Sequence, residues 1–169
     1  CFWCVEADFQ SKPGVLEVVS GFTGGSVPNP SYELVSSHTT GHYEAVKITY
    51  EDSQVTLAEL VDYYWHIIDP TDTQGQFCDK GSPYLSALFY QSPEQKQVFD
   101  QSISHLNANK PFKQPIATRI LPASPFYPAE EYHQDYALKN PLRYRYYRWN
   151  CGRDNTIKQR WGSLVSPAH

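Results

Sequence analysis

Segments with the apolar spacing of helices alternate with segments of strand spacing along this 169-residue chain. The clearest helix runs from Thr56 to Ile68, where Thr56 and Glu59 form a capping box. Three further helices are predicted: one at the start of the chain, one that begins at residue 92 and one over 129–138. Strands are predicted at 15–22, 43–50, 84–90 and 116–121. We find no internal repeat or linker. The pattern predicts a single domain over 1–169 in the α/β (α+β) class, a two-layer sandwich of a mixed sheet flanked by helices with a long irregular C-terminal tail.

The charge and the cysteine count exclude several classes of protein. Lys and Arg number 14 against 18 Asp and Glu, a net charge of −4, and there is no basic run or long apolar span. This composition argues against nucleic-acid binding and against a membrane span. Four cysteines are too few for a scaffold built on disulfides and suit a reducing compartment, so we expect a soluble, cytoplasmic protein.

The first four residues read Cys-Phe-Trp-Cys and open the first predicted helix. At that position the unpaired amides and the helix dipole favour the thiolate of Cys1, which is the nucleophilic form. Two interpretations stay open on these residues alone. One is a reactive thiol beside an apolar pocket; the other is an inert buried pair of Cys1 and Cys4, or half of a zinc site.

Glu44 lies on the apolar face of the second predicted strand. Side chains alternate along a strand, so Glu44 shares its face with Val46, Ile48 and Tyr50. A carboxyl group in apolar surroundings keeps its proton to higher pH. The alternative is a glutamate that turns out to water at the end of the strand.

Five motifs follow one another in chain order. They are Cys-Phe-Trp at 1–3, Asn-Pro-Ser-Tyr at 29–32, Thr-Gly-His-x-Glu at 40–44, Gln-Phe-Cys-Asp-x-Gly at 76–81, and Tyr-His-Gln-Asp-Tyr with Lys-Asn-Pro at 132–141. Together they resemble the A-type peptide methionine sulfoxide reductases, from residue 1 to about 145. The resemblance implies a ferredoxin-like fold, reduction of the S epimer of methionine sulfoxide, free or in proteins, and so repair of oxidised proteins.

The resemblance also implies roles for the residues of the first motif and for Glu44. Cys1 would attack the sulfoxide sulfur, Phe2 and Trp3 would receive the substrate methyl group, and Glu44 would protonate the departing oxygen. Chemistry supports the last role independently. A sulfoxide oxygen leaves poorly until it is protonated, so the reaction needs an acid that is still neutral near pH 7.

Four further residues match positions that contact the substrate in this family. Tyr32 and Tyr84 would hydrogen-bond the sulfoxide oxygen, and Asp79 and His133 would hold the substrate backbone and the surrounding pocket. No pair of histidines has metal-ligand spacing, so we expect no metal. The resemblance implies that an external dithiol is the only further reactant, with no cofactor. The resemblance implies thioredoxin as that dithiol, and we expect a monomer.

The recycling step departs from the pattern of many relatives. Oxidation of Cys1 to a sulfenic acid requires a second thiol to resolve it. Many relatives carry that cysteine directly after the tyrosine that follows Lys-Asn-Pro, whereas Arg145 follows Tyr144 in this chain. The strand and glycine that relatives carry before the catalytic cysteine are also missing.

Three cysteines remain as candidates for the resolving thiol. Cys4 completes a C-x-x-C pair with Cys1, and Cys151 lies in the tail, from which relatives usually draw this thiol. Cys78 precedes Asp79 and should lie near the pocket. We expect Cys4 and Cys151 to be equally good candidates, with Cys78 third.

Two other classes of function compete with the reductase. A zinc-binding interaction domain would use Cys1, Cys4, Cys78 and a histidine, and it would hold stoichiometric zinc. A cysteine peroxidase or general thiol oxidoreductase would share the nucleophile, but it would not need an acidic glutamate.

Overall fold

The computed structural model describes residues 2–162, which form seven α-helices and seven short strands. The helices are α1 (Phe2–Gln10), α2 (Tyr32–Ser36), α3 (Leu57–Ile67), α4 (Pro93–Asn109), α5 (Tyr136–Lys139), α6 (Pro141–Asn150) and α7 (Arg153–Trp161). The strands are β1 (Val15–Thr23), β2 (Tyr43–Tyr50), β3 (Gly75–Gln76), β4 (Asp79–Lys80), β5 (Ala87–Tyr90), β6 (Arg119–Pro122) and β7 (Tyr127–Pro128). None of the helices within these residues is long and apolar enough to cross a membrane.

The principal sheet has the order β2-β1-β7, with both pairings antiparallel. The long β1–β2 pairing runs from Val15 opposite Tyr50 to Thr23 opposite Tyr43, with a register shift near its start. A second sheet pairs β5 with β6 in parallel, and β3 and β4 form a small antiparallel hairpin. The predicted mixed α/β class is confirmed, although the parallel and antiparallel pairings belong to separate small sheets.

Helix α3 forms as the capping box predicts. The Thr56 hydroxyl accepts from the Glu59 amide at 3.1 Å, and the Glu59 carboxylate accepts from the Thr56 amide. Leu60, Val61 and Trp65 are buried in the main core. Burial of each such side chain contributes about 2 kcal/mol, so α3 anchors the scaffold that supports the site.

Three predicted elements are shorter than the sequence suggested, and one of them is the strand predicted at 116–121, which begins only at Arg119. The strand predicted at 84–90 is preceded by a 3-10 turn at Ser82–Tyr84, and Pro83 within that turn has no N–H to donate. The helix predicted over 129–138 is interrupted because Asp135 takes a left-handed backbone conformation, with φ of 53°.

The predicted irregular tail was wrong, because helices α6 and α7 occupy it. The inward face of α6 includes Tyr144 and Arg148, which are four residues apart and polar. Arg148 pairs with the fully buried Asp8 at 2.9 Å and with Asp154 at 2.7 Å. A helix that docks through a buried ion pair has no apolar period for sequence reasoning to detect.

Candidate active site

Glu44 lies beside the start of α1. It follows the first residue of β2, where its partner across the ladder is Phe22 of β1. The Phe2 amide, one of the donors that a helix leaves unpaired in its first turn, donates to Glu44 Oε1 at 3.1 Å. Cys1 lies outside the described residues, but the chain passes directly from it to this contact. The register of β2 therefore brings Glu44 to the N-terminus of α1, directly after the predicted nucleophile Cys1.

Burial raises the pKa of Glu44 to about 7, and the Phe2 hydrogen bond offsets part of that rise. The strand parity noted in the sequence is confirmed, since Glu44 shares its half-buried face with Val46 and Ile48. At neutral pH a large fraction of this carboxyl group carries its proton. It can act as a proton donor under conditions in which an ordinary glutamate cannot.

Phe2 and Trp3 form an aromatic wall next to this carboxyl group. Phe2 is buried, and its ring centroid lies 5.3 Å from that of His133 and 5.8 Å from that of Phe22. Trp3 stacks on Tyr136 with a centroid distance of 3.8 Å and an interplanar angle of 7°. The sequence motif thus supplies one buried and one partly exposed ring, which suits an apolar group of a ligand.

His133 is buried within this wall and has a defined tautomer. The Trp3 indole N–H donates to His133 Nδ1 at 3.1 Å, so the ring proton must lie on Nε2. Burial lowers the pKa of His133 and keeps the imidazole neutral. Nε2 makes no hydrogen bond to the residues that the structure describes. This N–H is a buried donor beside the rings of Phe2 and Tyr32.

Gln134 fixes the segment that carries His133. Its side-chain oxygen accepts from the Ser20 amide at 2.9 Å, and its NH₂ group donates to the carbonyls of Ser20 and Ala129 at 2.8 and 3.0 Å. The Gln134 side chain therefore pairs with the backbone of β1 as a neighbouring strand would, and it ties an irregular segment to the sheet. Sequence reasoning missed this role, although Gln134 stands inside one of the quoted motifs.

Tyr32 and Tyr84 both respond to the charge of Glu44. Burial, followed by that charge, raises the pKa of Tyr32 to about 12, and the same two causes raise the pKa of Tyr84. The Tyr32 ring lies 4.3 Å from the His133 ring, and its amide donates to the Glu130 carboxylate at 3.1 Å. Both phenols stay protonated across the neutral range, so both are hydrogen-bond donors near Glu44.

Asp79, on the β3–β4 hairpin, is close enough for its charge to add to the raised pKa values of Glu44, Tyr32 and Tyr84, and it contacts a residue that the sequence analysis missed. The Tyr147 hydroxyl of α6 donates to Asp79 Oδ2. The Tyr147 ring also stands edge-on to Trp3, with a centroid distance of 5.7 Å. No motif or spacing marked Tyr147. The only sequence signal was the density of tyrosines in the tail.

The three cysteines of residues 2–162 divide into a bonded pair and a buried single thiol. Cys78 and Cys151 form a disulfide with a Cα–Cα distance of 5.2 Å, a pairing that the sequence analysis did not predict. Cys4 is free and buried in α1. Cys78 is thus unavailable to the zinc site considered above, and residues 2–162 contain no group of three or more His, Cys, Asp or Glu placed to hold a metal. The zinc-domain hypothesis has no support in this part of the chain.

A carboxyl group that keeps part of its protons at neutral pH, two protonated phenols, an aromatic wall and a disulfide are features of a thiol-dependent oxidoreductase. Comparison with known proteins makes the class specific. The profile of the family described as peptide methionine sulfoxide reductase matches residues 1–165. The chain is 50% identical over 162 residues to the peptide methionine sulfoxide reductase MsrA of Bacillus licheniformis, covering 96% of this chain and 90% of that protein.

Further relatives agree. The chain is 50% identical over 163 residues to the peptide methionine sulfoxide reductase MsrA 2 of Caulobacter vibrioides, covering 96% of this chain and 82% of that protein. The structure is similar to that of methionine sulfoxide reductase A of Corynebacterium diphtheriae, with a TM-score of 0.72 and 34% identity over 84% of this chain and 72% of that chain. The chain belongs to the A-type peptide methionine sulfoxide reductases. Its activity is the reduction of methionine sulfoxide in peptides.

Proposed function

We propose that this enzyme reduces the S epimer of methionine sulfoxide, free or in proteins, through a sulfenic acid on Cys1. The observation that carries the proposal is Glu44, a carboxyl group whose pKa is raised by burial to about 7, in contact with the first amide after Cys1. In the first step the Cys1 thiolate attacks the substrate sulfur, and Glu44 gives its proton to the oxygen. The oxygen passes to Cys1 as the sulfur–oxygen bond of the substrate breaks, so the cysteine is oxidised by two electrons and methionine is released.

The surrounding side chains have proposed roles in this step. Tyr32 and Tyr84 donate hydrogen bonds to the sulfoxide oxygen, where negative charge grows before the proton arrives. Phe2 and Trp3 receive the methyl group and exclude water from the reacting sulfur. Support for these roles comes from the raised pKa values of both phenols and from the ring contacts around Phe2.

Asp79 and His133 are proposed to hold the rest of the substrate. Tyr147 contacts both Asp79 and Trp3, and so links the Asp79 carboxylate to the aromatic wall. A carboxylate there suits the N–H groups of a peptide backbone. The buried imidazole of His133 lies among the rings of Phe2, Trp3 and Tyr32, so its proposed role is to hold the surrounding pocket in shape. Together they favour a ligand that brings both polar backbone groups and an apolar side chain.

The second step is proposed to return Cys1 to its reduced form. A resolving thiolate attacks the sulfenic sulfur and a hydroxide leaves, which takes up a proton to become water, and a disulfide forms. Cys4 is the free thiol of the described residues when Cys78 and Cys151 are joined. We propose that, in the fully reduced enzyme, Cys4 resolves Cys1 and that the thiols of Cys78 and Cys151 then attack the Cys1–Cys4 disulfide, which leaves Cys1 and Cys4 reduced and joins Cys78 to Cys151 as in the structure.

An external dithiol would complete the cycle by reducing the final disulfide, and thioredoxin is the reductant that we propose. No further cofactor enters these steps. A monomeric state, a single domain over 1–169 and a cytoplasmic location stay predictions.

One turnover without reductant tests the proposal. Given one equivalent of sulfoxide, the wild-type enzyme, fully reduced beforehand, should form about one equivalent of methionine and end with one disulfide that mass mapping can locate. Cys1→Ser should form none. Methionine formation by the Cys1→Ser variant would remove Cys1 from the mechanism, and a stable sulfenic acid in the wild type would remove all three resolving candidates.

A further inference from the structure

Tyr147 joins two groups that the proposed mechanism assigns to substrate binding. Its hydroxyl donates to Asp79 Oδ2, and its ring edge lies against Trp3. Helix α6 thereby reaches a site whose other side chains come from α1, α2, β2, the β3–β4 hairpin and the short turns that end at Tyr84 and His133. Tyr147 lies outside the five motifs through which the chain resembles its family.

A hydrogen bond to a carboxylate is stronger than one between neutral groups, and it fixes the orientation of the acceptor. Burial, together with the Asp79 hydrogen bond, raises the pKa of Tyr147 far above its ordinary value. Tyr147 is therefore a donor at every pH at which the enzyme works. A carboxylate held by this phenol presents a fixed geometry to any other donor that approaches it.

The turn of the β3–β4 hairpin is attached to the C-terminal segment at three consecutive residues. The pairs are Phe77 with Arg153, whose guanidinium carbon lies 4.5 Å from the ring centroid, Cys78 with Cys151, and Asp79 with Tyr147. Arg153 is itself fixed by donation to the Ile67 carbonyl at 2.6 Å. The contact between Asp79 and Tyr147 is partly buried and lies beside Trp3.

We propose that Tyr147 is a positioning residue, which orients the Asp79 carboxylate toward the backbone of a peptide substrate and so sets the affinity for peptidic methionine sulfoxide. The inference rests on the proposed function, in which Asp79 holds the substrate backbone. Tyr147 has no contact with the reacting sulfur in this account. Its removal should weaken binding and leave the chemical step intact.

The test compares two sulfoxides. N-acetylmethionine sulfoxide N-methylamide has backbone amides, whereas dimethyl sulfoxide has none. Tyr147→Phe should raise KM for the first substrate about tenfold, the effect of one charge-assisted hydrogen bond, with kcat near the wild-type value. KM for dimethyl sulfoxide should not change. The matched control is Tyr146→Phe, because Tyr146 is the neighbouring tyrosine on the exposed face of α6.

A double-mutant cycle shows whether Tyr147 acts through Asp79. In an Asp79→Ala background, Tyr147→Phe should cause no further rise in KM. A further tenfold rise, an equal effect on both substrates, or a fall in kcat alone would each overturn the proposal. Wild-type enzyme that reduces neither sulfoxide would instead contradict the proposed function.

Discussion

The two sides of the pocket are built by different means. On the first side, Phe2 and Glu44 meet because β2 pairs in register with β1 and α1 packs against that sheet. On the second side, Asp79 and Tyr147 meet because side chains attach the short β3–β4 hairpin to α6 and to Cys151, the residue that follows it. Backbone pairing thus places the proposed acid, whereas side-chain contacts place the proposed substrate-binding groups. Changes on the first side should therefore affect chemistry, and changes on the second should affect binding or stability.

The largest effect is expected for Glu44→Gln. Glutamine keeps the shape of the side chain but has no proton to transfer, so the rate of methionine formation should fall about 10²- to 10⁴-fold. The wild-type rate should also decline as pH rises through about 7, where Glu44 loses its proton. Single-turnover kinetics from pH 5 to 9 measure both effects.

Glu33→Gln is the matched control, because Glu33 is an exposed glutamate of α2 next to Tyr32. It should leave the rate and the pH profile unchanged. The pH dependence of stability gives a second check on the direction in which the pKa of Glu44 is shifted. Because the pKa of Glu44 is raised in the folded protein, ionisation of Glu44 destabilises the wild type as pH rises from about 5 through 7. The Glu44→Gln variant should not lose stability in this way. A rate equal to that of the wild type, or the same pH dependence of stability, would contradict the role of Glu44 as the proton donor.

The next largest effect is expected for Arg148→Met, which removes an ion pair between α1 and α6, the helix that carries Tyr147 of the second side. Arg148 is buried and pairs with the fully buried Asp8, which would lose this ion pair while it stays inside the protein. The free energy of unfolding should fall by about 3 to 5 kcal/mol. Denaturant unfolding measures this loss, and kcat of the folded variant should stay near the wild-type value.

Arg145→Met provides the comparison for this change, since Arg145 is an exposed arginine of the same helix. It should alter the free energy of unfolding by less than about 0.5 kcal/mol. If Arg148→Met lowered kcat as strongly as Glu44→Gln does, the division between the two sides would be wrong. A small loss of stability would show that Asp8 is stabilised by other groups.

Sequence reasoning found the first side because its residues obey local rules. The alternation of β2 put Glu44 among apolar residues, and the capping box of α3 was visible in Thr56 and Glu59. The second side obeys no such rule. Tyr147 and the Cys78–Cys151 pair depend on how α6 docks, and the inward face of α6 holds Arg148 where a periodic pattern would require an apolar residue. Contacts between distant segments made through polar side chains leave no spacing to detect.

The central claim is that Glu44 holds its proton near neutral pH, and direct titration of that carboxyl group tests it most closely. Carbon-13 NMR of protein labelled at the glutamate side-chain carboxyl carbons would follow each group, with Glu44→Gln identifying the signal of Glu44. The account predicts a midpoint near pH 7 for that signal. A midpoint near 4.5, the ordinary value for glutamate, would contradict it.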